Sequence, residues 1–197
     1  MLIDALRKRS DEIIGMVDSD SKKQGMEIMG VKVIGGDDRI SDYGTDEIML
    51  VNAVGSVGPC AQRRAIFEKF SSLGYAFAAL VHPSAVTADE VVIEQGAQVM
   101  AGAVIQPGVR LGANCIVNTN SSVDHDCIVG EHVHIAPGAT VCGNVSIGAG
   151  AFVGAGSVII QGIKIGAEVV IGAGAVVVND APGGAVIKGN PAREAKN

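Results

Sequence analysis

Aromatic side chains are scarce in this 197-residue sequence, which has no Trp, two Tyr and four Phe, or 3% in all. Large rings normally fill much of a wide hydrophobic core, so their scarcity indicates a narrow interior built from aliphatic side chains. Basic residues are also few, because 15 Lys and Arg stand against 21 Asp and Glu. The resulting net charge of −6 disfavours nucleic acid as a partner.

Long apolar runs and paired cysteine motifs are absent as well. No apolar run approaches the ~20 residues that a membrane-spanning helix needs, and the first residues do not show the pattern of a secretory signal. The four cysteines, Cys60, Cys115, Cys127 and Cys142, have no CxxC spacing. Cys115 and Cys127 fall at small inward positions of the repeat described next, so they are expected to be buried, reduced packing residues. These features predict a cytoplasmic protein.

What the sequence does contain is a six-residue repeat from Ile93 to Val177. Every sixth residue is a branched aliphatic, fifteen times in register: Ile93, Val99, Ile105, Leu111, Val117, Val123, Val129, Ile135, Val141, Ile147, Val153, Ile159, Ile165, Ile171 and Val177. Four residues after these come small or aliphatic residues, such as Ala97, Ala103 and Val109. This period is typical of a β-helix, in which each hexapeptide forms one side of a coil. Three sides give an 18-residue coil, so fifteen units predict five coils, roughly 24 Å tall at the strand spacing of ~4.7–4.9 Å.

Residues 1–83 lack this repeat and alternate helix and strand patterns. Helices are predicted at Met1–Ser10 and Ala61–Leu73, and strands at Ile13–Val17, Val31–Ile34, Glu47–Val54 and Ala76–Val81. The alternation predicts a small α/β unit with a parallel sheet, resembling an incomplete Rossmann unit. Ligands of such sheets bind at the carboxyl ends of the strands, where Asp18 and Gly55 lie.

The α/β unit opens on a helix rather than on a strand. Its first strand and the glycine-rich loop that would hold phosphates are therefore expected to be missing, and the first helix is expected to pack loosely. The segment Gly55-Ser56-Val57-Gly58 could hold a single phosphate. The sequence thus divides into an α/β unit (1–83), a β-helix (84–182) and a C-terminal tail (183–197).

A polar cluster interrupts the charge-poor repeat. Only eight charged residues lie from Glu94 to Asp180, yet positions 124 to 134 contain Asp124, His125, Asp126, Glu131, His132 and His134. None of these six is at an inward position, so the cluster predicts an active site on the outer wall, in a groove between subunits, rather than a solvated patch. A histidine beside a carboxylate can act as a general base near neutrality. It could remove a proton from an amine or hydroxyl that attacks a thioester, and Gly143 would let a backbone N–H approach the developing oxyanion.

The repeat resembles the hexapeptide-repeat acyltransferases. Within it, Asn118–Ile147, with its His125-Asp126-Cys127 and Cys142-Gly143-Asn144 segments, is similar to the sialic acid O-acetyltransferases and UDP-amino-dideoxysugar N-acetyltransferases. The resemblance covers nearly the whole chain. It implies a left-handed parallel β-helix assembled as a homotrimer, with acetyl-CoA as cosubstrate and no metal. The implied reaction is direct acetyl transfer to an amino group or hydroxyl of a sugar, expected to be nucleotide-linked.

The same resemblance implies roles for individual residues. His125 is expected to be the general base and Asp126 to raise its basicity, although some members have Glu there and Asp124 is a rival for this role. The expected acetyl-CoA contacts are His134, Gly143, Ala155 and Ala173, and the expected contacts to the sugar substrate are Asp18, Gly55 and Asn118. Residues 1–83 are then the nucleotide-sugar-binding unit and residues 84–182 the acyltransferase domain.

Two other functions are compatible with a hexapeptide repeat. A γ-type carbonic anhydrase gathers three zinc-binding histidines at a subunit interface, but His125, His132 and His134 lack the pair spaced five apart that is associated with that family. A non-catalytic β-helix assembly protein would need no His–acid pair. The sequence leaves open the sugar, the length of the acyl chain and the choice between N- and O-acetylation.

Overall fold

The six-residue repeat folds as a triangular β-helix with three faces of parallel strands. The computed structural model describes residues 1–55 and 61–195. Face 1 consists of Leu80–Val81, Gln98–Val99, Ile116–Val117, His134–Ile135, Phe152–Val153, Val170–Ile171 and Val186–Lys188, with Arg193–Glu194 antiparallel at its end. Face 2 consists of Val86–Thr87, Val104–Ile105, Ser122–Val123, Thr140–Val141, Val158–Ile159 and Val176–Val177. Face 3 consists of Val92–Ile93, Arg110–Leu111, Ile128–Val129, Ser146–Ile147 and Lys164–Ile165.

The fifteen aliphatic residues of the repeat divide five to a face, as the 18-residue coil predicts. From Val99 to Val177 none of them is more than 3% exposed. Each stacks on its equivalent in the next coil, as Val117 does between Val99 and Ile135. Leu80–Val81, which precedes residue 84, and Val186–Lys188, which follows residue 182, also pair with strands of face 1.

The two inward cysteines are buried packing residues, as the repeat predicts. Cys115 and Cys127 are 0% exposed, and neither is in a disulfide. Burial raises the pKa of the Cys115 thiol to about 12, so it stays protonated and unreactive at neutral pH. Cys60 lies outside the described residues.

The corners of the coil turn through a residue with positive φ at every sixth position from Gly96 to Gly174. Most of these residues are Gly or Asn, which tolerate the left-handed conformation. The other three are Asp126, His132 and Glu168, with φ of 58°, 59° and 57°. Each of these three side chains contacts another residue, so these corners also carry an interaction besides turning the chain.

The N-terminal unit has a smaller and more mixed sheet than the sequence predicts. Val31–Gly35 pairs in parallel with Met16–Val17 and antiparallel with Glu27–Ile28. The antiparallel hairpin forms because Met29 and Gly30 both have positive φ (50° and 70°), which is the geometry of a tight two-residue turn. The strand predicted at Glu47–Val54 is reduced to one parallel bridge between Leu50 and Phe77. Short 3₁₀ turns cover Ser21–Lys23 and Asp37–Asp42.

Helix α1 (Leu2–Lys8) packs on the first coil of the β-helix. Its Ala5 is 0% exposed and contacts Leu80 and Met100. Its Asp4 Oδ2 lies 3.3 Å from the Nε2 of the buried His82. The expectation of a loosely packed first helix was therefore wrong, because the β-helix supplies the apolar surface that a preceding strand would otherwise supply.

Helix α2 (Ala61–Ser72) lies along the corner between faces 3 and 1. The Nε of its Arg63 donates a hydrogen bond to the Asn114 carbonyl oxygen at 3.3 Å. The ring of its Phe67 meets that of His132 edge-on, with the centroids 5.6 Å apart. Its Arg64 forms an ion pair with Glu168 at 2.6 Å. Positions 114, 132 and 168 all belong to this one column of corner residues. The N-terminal unit is thereby fixed to the β-helix. Within the described residues, no helix is both long and apolar enough to cross a membrane.

Candidate active site

His125 and its two neighbouring aspartates occupy the corner between faces 2 and 3. The His125 Nδ1 lies 2.9 Å from Asp126 Oδ2, whereas the His125 backbone N–H donates to Asp124 Oδ1 at 2.9 Å. Asp126 thus contacts the ring, and Asp124 holds the backbone. The hydrogen bond to Asp126 and, to a lesser extent, the charge of Asp124 raise the pKa of the exposed His125.

Gly143 stands in the next coil, above His125. The two coils are joined by the Asn144 N–H, which donates to the His125 carbonyl oxygen at 2.8 Å. A Cβ on Gly143 would lie 2.5 Å from His125 Nε2 and 2.7 Å from its Cε1, so only glycine leaves room for the ring. Because Nδ1 faces the Asp126 carboxylate, Nδ1 carries the proton and Nε2 presents its lone pair. Nε2 is therefore the ring nitrogen of His125 that can accept a proton.

His134 lies on face 1 and is only 6% exposed, although it points away from the interior of the β-helix. Its Nε2 is 3.2 Å from Asn118 Nδ2, and the Thr119 N–H donates to Asn118 Oδ1 at 2.8 Å. This second bond fixes the amide with its NH₂ group toward the ring, so Nε2 accepts and the proton of His134 is on Nδ1. Burial and, next, the positive charge of Arg63 lower the pKa of His134 to about 4. His134 is therefore neutral at pH 7.

The other residues expected to bind substrates are distributed over the chain. Ala155 and Ala173 are exposed at the corner between faces 1 and 2 and lie one coil apart, since the Gly174 N–H donates to the Ala155 carbonyl oxygen at 2.9 Å. Asp18 follows Met16–Val17 and accepts from Lys23 Nζ at 2.8 Å and from the Asp20 N–H at 2.9 Å. These bonds lower the pKa of Asp18, that to Lys23 most.

The N-terminal unit contributes one further expected contact, Gly55. This glycine is exposed and ends the first described segment. Ser56, Val57 and Gly58 of the possible phosphate-binding segment lie outside the described residues.

The structure separates polar residues that are neighbours in the sequence. His125 lies at the corner between faces 2 and 3, and His134 lies on face 1. His132, which is 6% exposed, lies at the corner between faces 3 and 1, with its Nδ1 3.0 Å from Asn114 Nδ2. Burial lowers the pKa of His132, and its contact with α2 gives it a packing role. Sequence reasoning had grouped it with the other two, because a linear pattern does not show which corner each residue occupies.

The three histidines consequently do not converge as the ligands of a γ-type carbonic anhydrase would. Among residues 1–55 and 61–195, no group of three His, Cys, Asp or Glu side chains is arranged to hold a metal ion. Sequence reasoning also missed the buried Arg63, whose position in an ordinary helical pattern carries no signal of its proximity to His134.

The fold is that of a hexapeptide-repeat transferase. The family model for bacterial transferase hexapeptide repeats (six repeats) matches residues 90–125 and 144–179. Among solved structures, the acetyltransferase domain of PglB from Neisseria gonorrhoeae in complex with acetyl coenzyme A is 36% identical, with a TM-score of 0.89 over 98% of this chain and 91% of that one. PerB from Caulobacter crescentus, in complex with CoA and GDP-perosamine, is 33% identical, with a TM-score of 0.87 over 99% and 91%.

WeeI from Acinetobacter baumannii is also similar, with 27% identity and a TM-score of 0.87 over 98% of this chain and 93% of that one. Among curated protein sequences, no significant match was found. The identity and coverage of the PglB and PerB matches show the family. The chain belongs to the hexapeptide-repeat β-helix acetyltransferases, which confirms the resemblance seen in the sequence.

Proposed function

We propose that this protein transfers an acetyl group from acetyl-CoA to an amino group of a nucleotide-linked sugar. One observation carries the proposal: His125 Nδ1 lies 2.9 Å from the Asp126 carboxylate, and its Nε2 lies against Gly143. Any residue other than glycine at position 143 would place its Cβ too close to the His125 ring. The proposal is supported by relatives that were solved with acetyl coenzyme A and with CoA and GDP-perosamine. The γ-carbonic anhydrase and assembly-protein alternatives have no comparable support.

In the proposed mechanism, His125 Nε2 accepts a proton from the sugar amine as its nitrogen attacks the thioester carbonyl carbon. The Asp126 carboxylate stabilises the imidazolium that forms. The Gly143 N–H would hold the developing oxyanion. Collapse of the tetrahedral intermediate forms the amide and breaks the C–S bond, and the proton on His125 passes to the departing CoA thiolate.

Direct transfer, without an acyl-enzyme intermediate, is consistent with the burial of Cys127, which follows His125 and Asp126 in the chain. The Cys127 thiol is buried and donates to the Cys142 carbonyl oxygen at 3.1 Å, so it is not available as a nucleophile at the surface. Acetyl-CoA would contact His134, Gly143, Ala155 and Ala173. The acceptor would contact Asp18, Gly55 and Asn118.

We further propose a homotrimer in the cytoplasm. His125 and Gly143 lie at one edge of face 2, and Ala155 and Ala173 lie at the other edge. Residues assigned to one cosubstrate are therefore separated by a whole face within a single chain. A second copy that packs near face 2 could bring its own His134 and Ala155 toward the His125 corner of the first, which would place the site between subunits.

The proposed function is tested by following CoA thiol release from acetyl-CoA with UDP-, GDP- and CMP-linked amino sugars and their hydroxyl counterparts. We expect release with at least one amino sugar. The His125→Ala variant should lower kcat by ~10²–10⁴ and change the KM for acetyl-CoA little, as loss of a general base does. Turnover with hydroxyl sugars alone would replace N- by O-acetylation, and a fully active His125→Ala variant would contradict the assignment of the base.

A further inference from the structure

Arg63, in the first turn of α2, is a fully buried cation at the junction between the two units, with only 1% exposed. Arginine is rarely buried unless its donors are satisfied. Its Nη1 donates to the carbonyl oxygens of Asn52 at 2.7 Å and Val54 at 3.0 Å, and its Nε donates to that of Asn114 at 3.3 Å. One guanidinium thus ties the segment that precedes Gly55 to a corner of the β-helix.

Asn52 is the second part of this junction. Its carbonyl oxygen also accepts from Gln98 Nε2 at 2.7 Å, and its own Nδ2 donates to the Arg63 carbonyl oxygen at 2.9 Å. Gln98 lies on face 1 in the same row as Ile116 and His134, since the three are paired strand to strand. The segment from Asn52 to Val54 is therefore held against the row of face 1 that includes His134.

We propose that Arg63 is a positioning residue for the sugar acceptor, holding the chain that leads into Gly55 over the face that carries Asn118 and His134. This inference rests on the proposed function, in which Gly55 and Asn118 contact the acceptor. The geometry requires a forked donor, because three carbonyl oxygens on two units are bound at once, and a lysine ammonium cannot reach them all. The charge of Arg63 also contributes to the lowered pKa of His134, so the guanidinium is close enough to that ring to affect it electrostatically.

The experiment compares Arg63→Lys with the matched control Arg64→Lys. Both variants keep the charge and change neighbouring residues of one helix, but Arg64 pairs with the exposed Glu168 rather than with the Asn52–Val54 segment. For Arg63→Lys we expect a KM for the nucleotide sugar that is about tenfold higher or more, with the KM for acetyl-CoA unchanged and kcat at saturating sugar within about threefold. Arg64→Lys should leave all three values near those of the wild type.

A second variant provides an independent test in case Arg63→Lys does not fold. Gln98→Met keeps the volume of the side chain but removes the other donor to the Asn52 carbonyl oxygen, so it should raise the same KM by a smaller factor. Equal KM values for the sugar in Arg63→Lys and wild type would overturn the proposal. So would equal losses in Arg63→Lys and Arg64→Lys, because they would show a general loosening of α2.

Calorimetric titration with the same nucleotide sugar keeps this test separate from that of the proposed function. If the wild type binds the sugar but does not acetylate it, the proposed function fails, and the ratio of Kd values between Arg63→Lys and wild type still tests Arg63. A Kd raised about tenfold in that variant supports the positioning role. An unchanged Kd, or a wild type that binds none of the nucleotide sugars, contradicts it.

Discussion

Asp126 has two functions at one residue position. It is the corner residue with positive φ (58°), where the repeat otherwise uses mostly Gly or Asn, and it is the partner of the His125 ring. Aspartate tolerates the left-handed conformation better than most residues, so the corner can carry a carboxylate at modest cost in strain. A Cβ on Gly108, one coil earlier, would lie 2.6 Å from Asp126 Oδ1. The carboxylate therefore occupies space that a glycine leaves free.

The Asp126→Asn variant should shift the pH dependence of the reaction. The base acts when deprotonated, so kcat falls as the pH decreases through the pKa of His125. The bond to Asp126 raises this pKa, so its removal should lower the pKa and move the acidic limb of the pH–rate profile to lower pH. Asparagine can still accept a hydrogen bond through its side-chain oxygen, so the loss of kcat at neutral pH should be smaller than in His125→Ala.

Asp124→Asn is the control for this shift. Its carboxylate binds the backbone of His125 and acts on the ring only through its charge. We therefore expect a smaller displacement of the acidic limb, measured from kcat between pH 5 and 9, a range about the ordinary pKa of histidine of ~6.5. A larger displacement in Asp124→Asn than in Asp126→Asn would transfer the supporting role to Asp124.

Helix α2 joins the N-terminal unit to the β-helix through a single column of corner residues. Phe67 is central to this contact: it is 7% exposed, lies with its ring centroid 4.7 Å from that of Phe77 and meets His132 edge-on. A Cβ on Gly96, in the same column, would lie 2.8 Å from the Phe67 ring. The column is therefore shaped along its length to accept the helix.

The Phe67→Ala variant should destabilise the N-terminal unit by about 3–5 kcal/mol, as is usual for loss of a buried Phe. Circular dichroism at 222 nm during urea unfolding follows the helices and hence this unit. Leu73→Ala, just after α2, is the control, because Leu73 is 58% exposed and should change the free energy of unfolding by less than about 0.5 kcal/mol. If the two variants unfold alike, Phe67 does not anchor the helix.

The contrast between the two units shows what a sequence can predict at the level of elements. The strands of the β-helix were predictable because each one repeats a neighbour 18 residues away and buries the same kind of residue, as Val117 and Ile135 do. The bridge between Leu50 and Phe77 has no such repetition, so a longer strand was expected there. The tight turn at Met29 and Gly30 would have required an Asn-Gly or Asp-Gly signal to be recognised.

The candidate site was predictable only in part, for a related reason. The contact between His125 and Asp126 is local, because the residues are adjacent at one corner. The burial of His134 and its low pKa depend on Arg63, which is distant in sequence and approaches face 1 only after α2 has packed along a corner. Contacts of this kind leave no periodic pattern in the chain.

A single chain provides only part of the proposed site. The outward residues of face 2 from Val104 to Val176 are Val, Ser or Thr and are half-buried. They form a face without charge between the corner of His125 and the corner of Ala155. Face 3, by comparison, exposes Arg110 and Lys164. An uncharged face of small side chains suits close packing of a second copy, and a closed ring of three would give every chain one such neighbour.

The trimer is predicted to show a mass of three times the chain's 20.0 kDa by light scattering at micromolar concentration. A complementation test then asks whether the site is shared. Coexpression of His125→Ala and His134→Ala chains, each of low activity alone, should yield mixed trimers in which about one quarter of the sites combine an intact His125 from one chain with an intact His134 from its neighbour. Activity at low acetyl-CoA should recover to about that fraction. A monomeric mass would refute the assembly, and a trimer without recovery would mean that His125 and His134 serve the same site from within one chain or do not serve a common site.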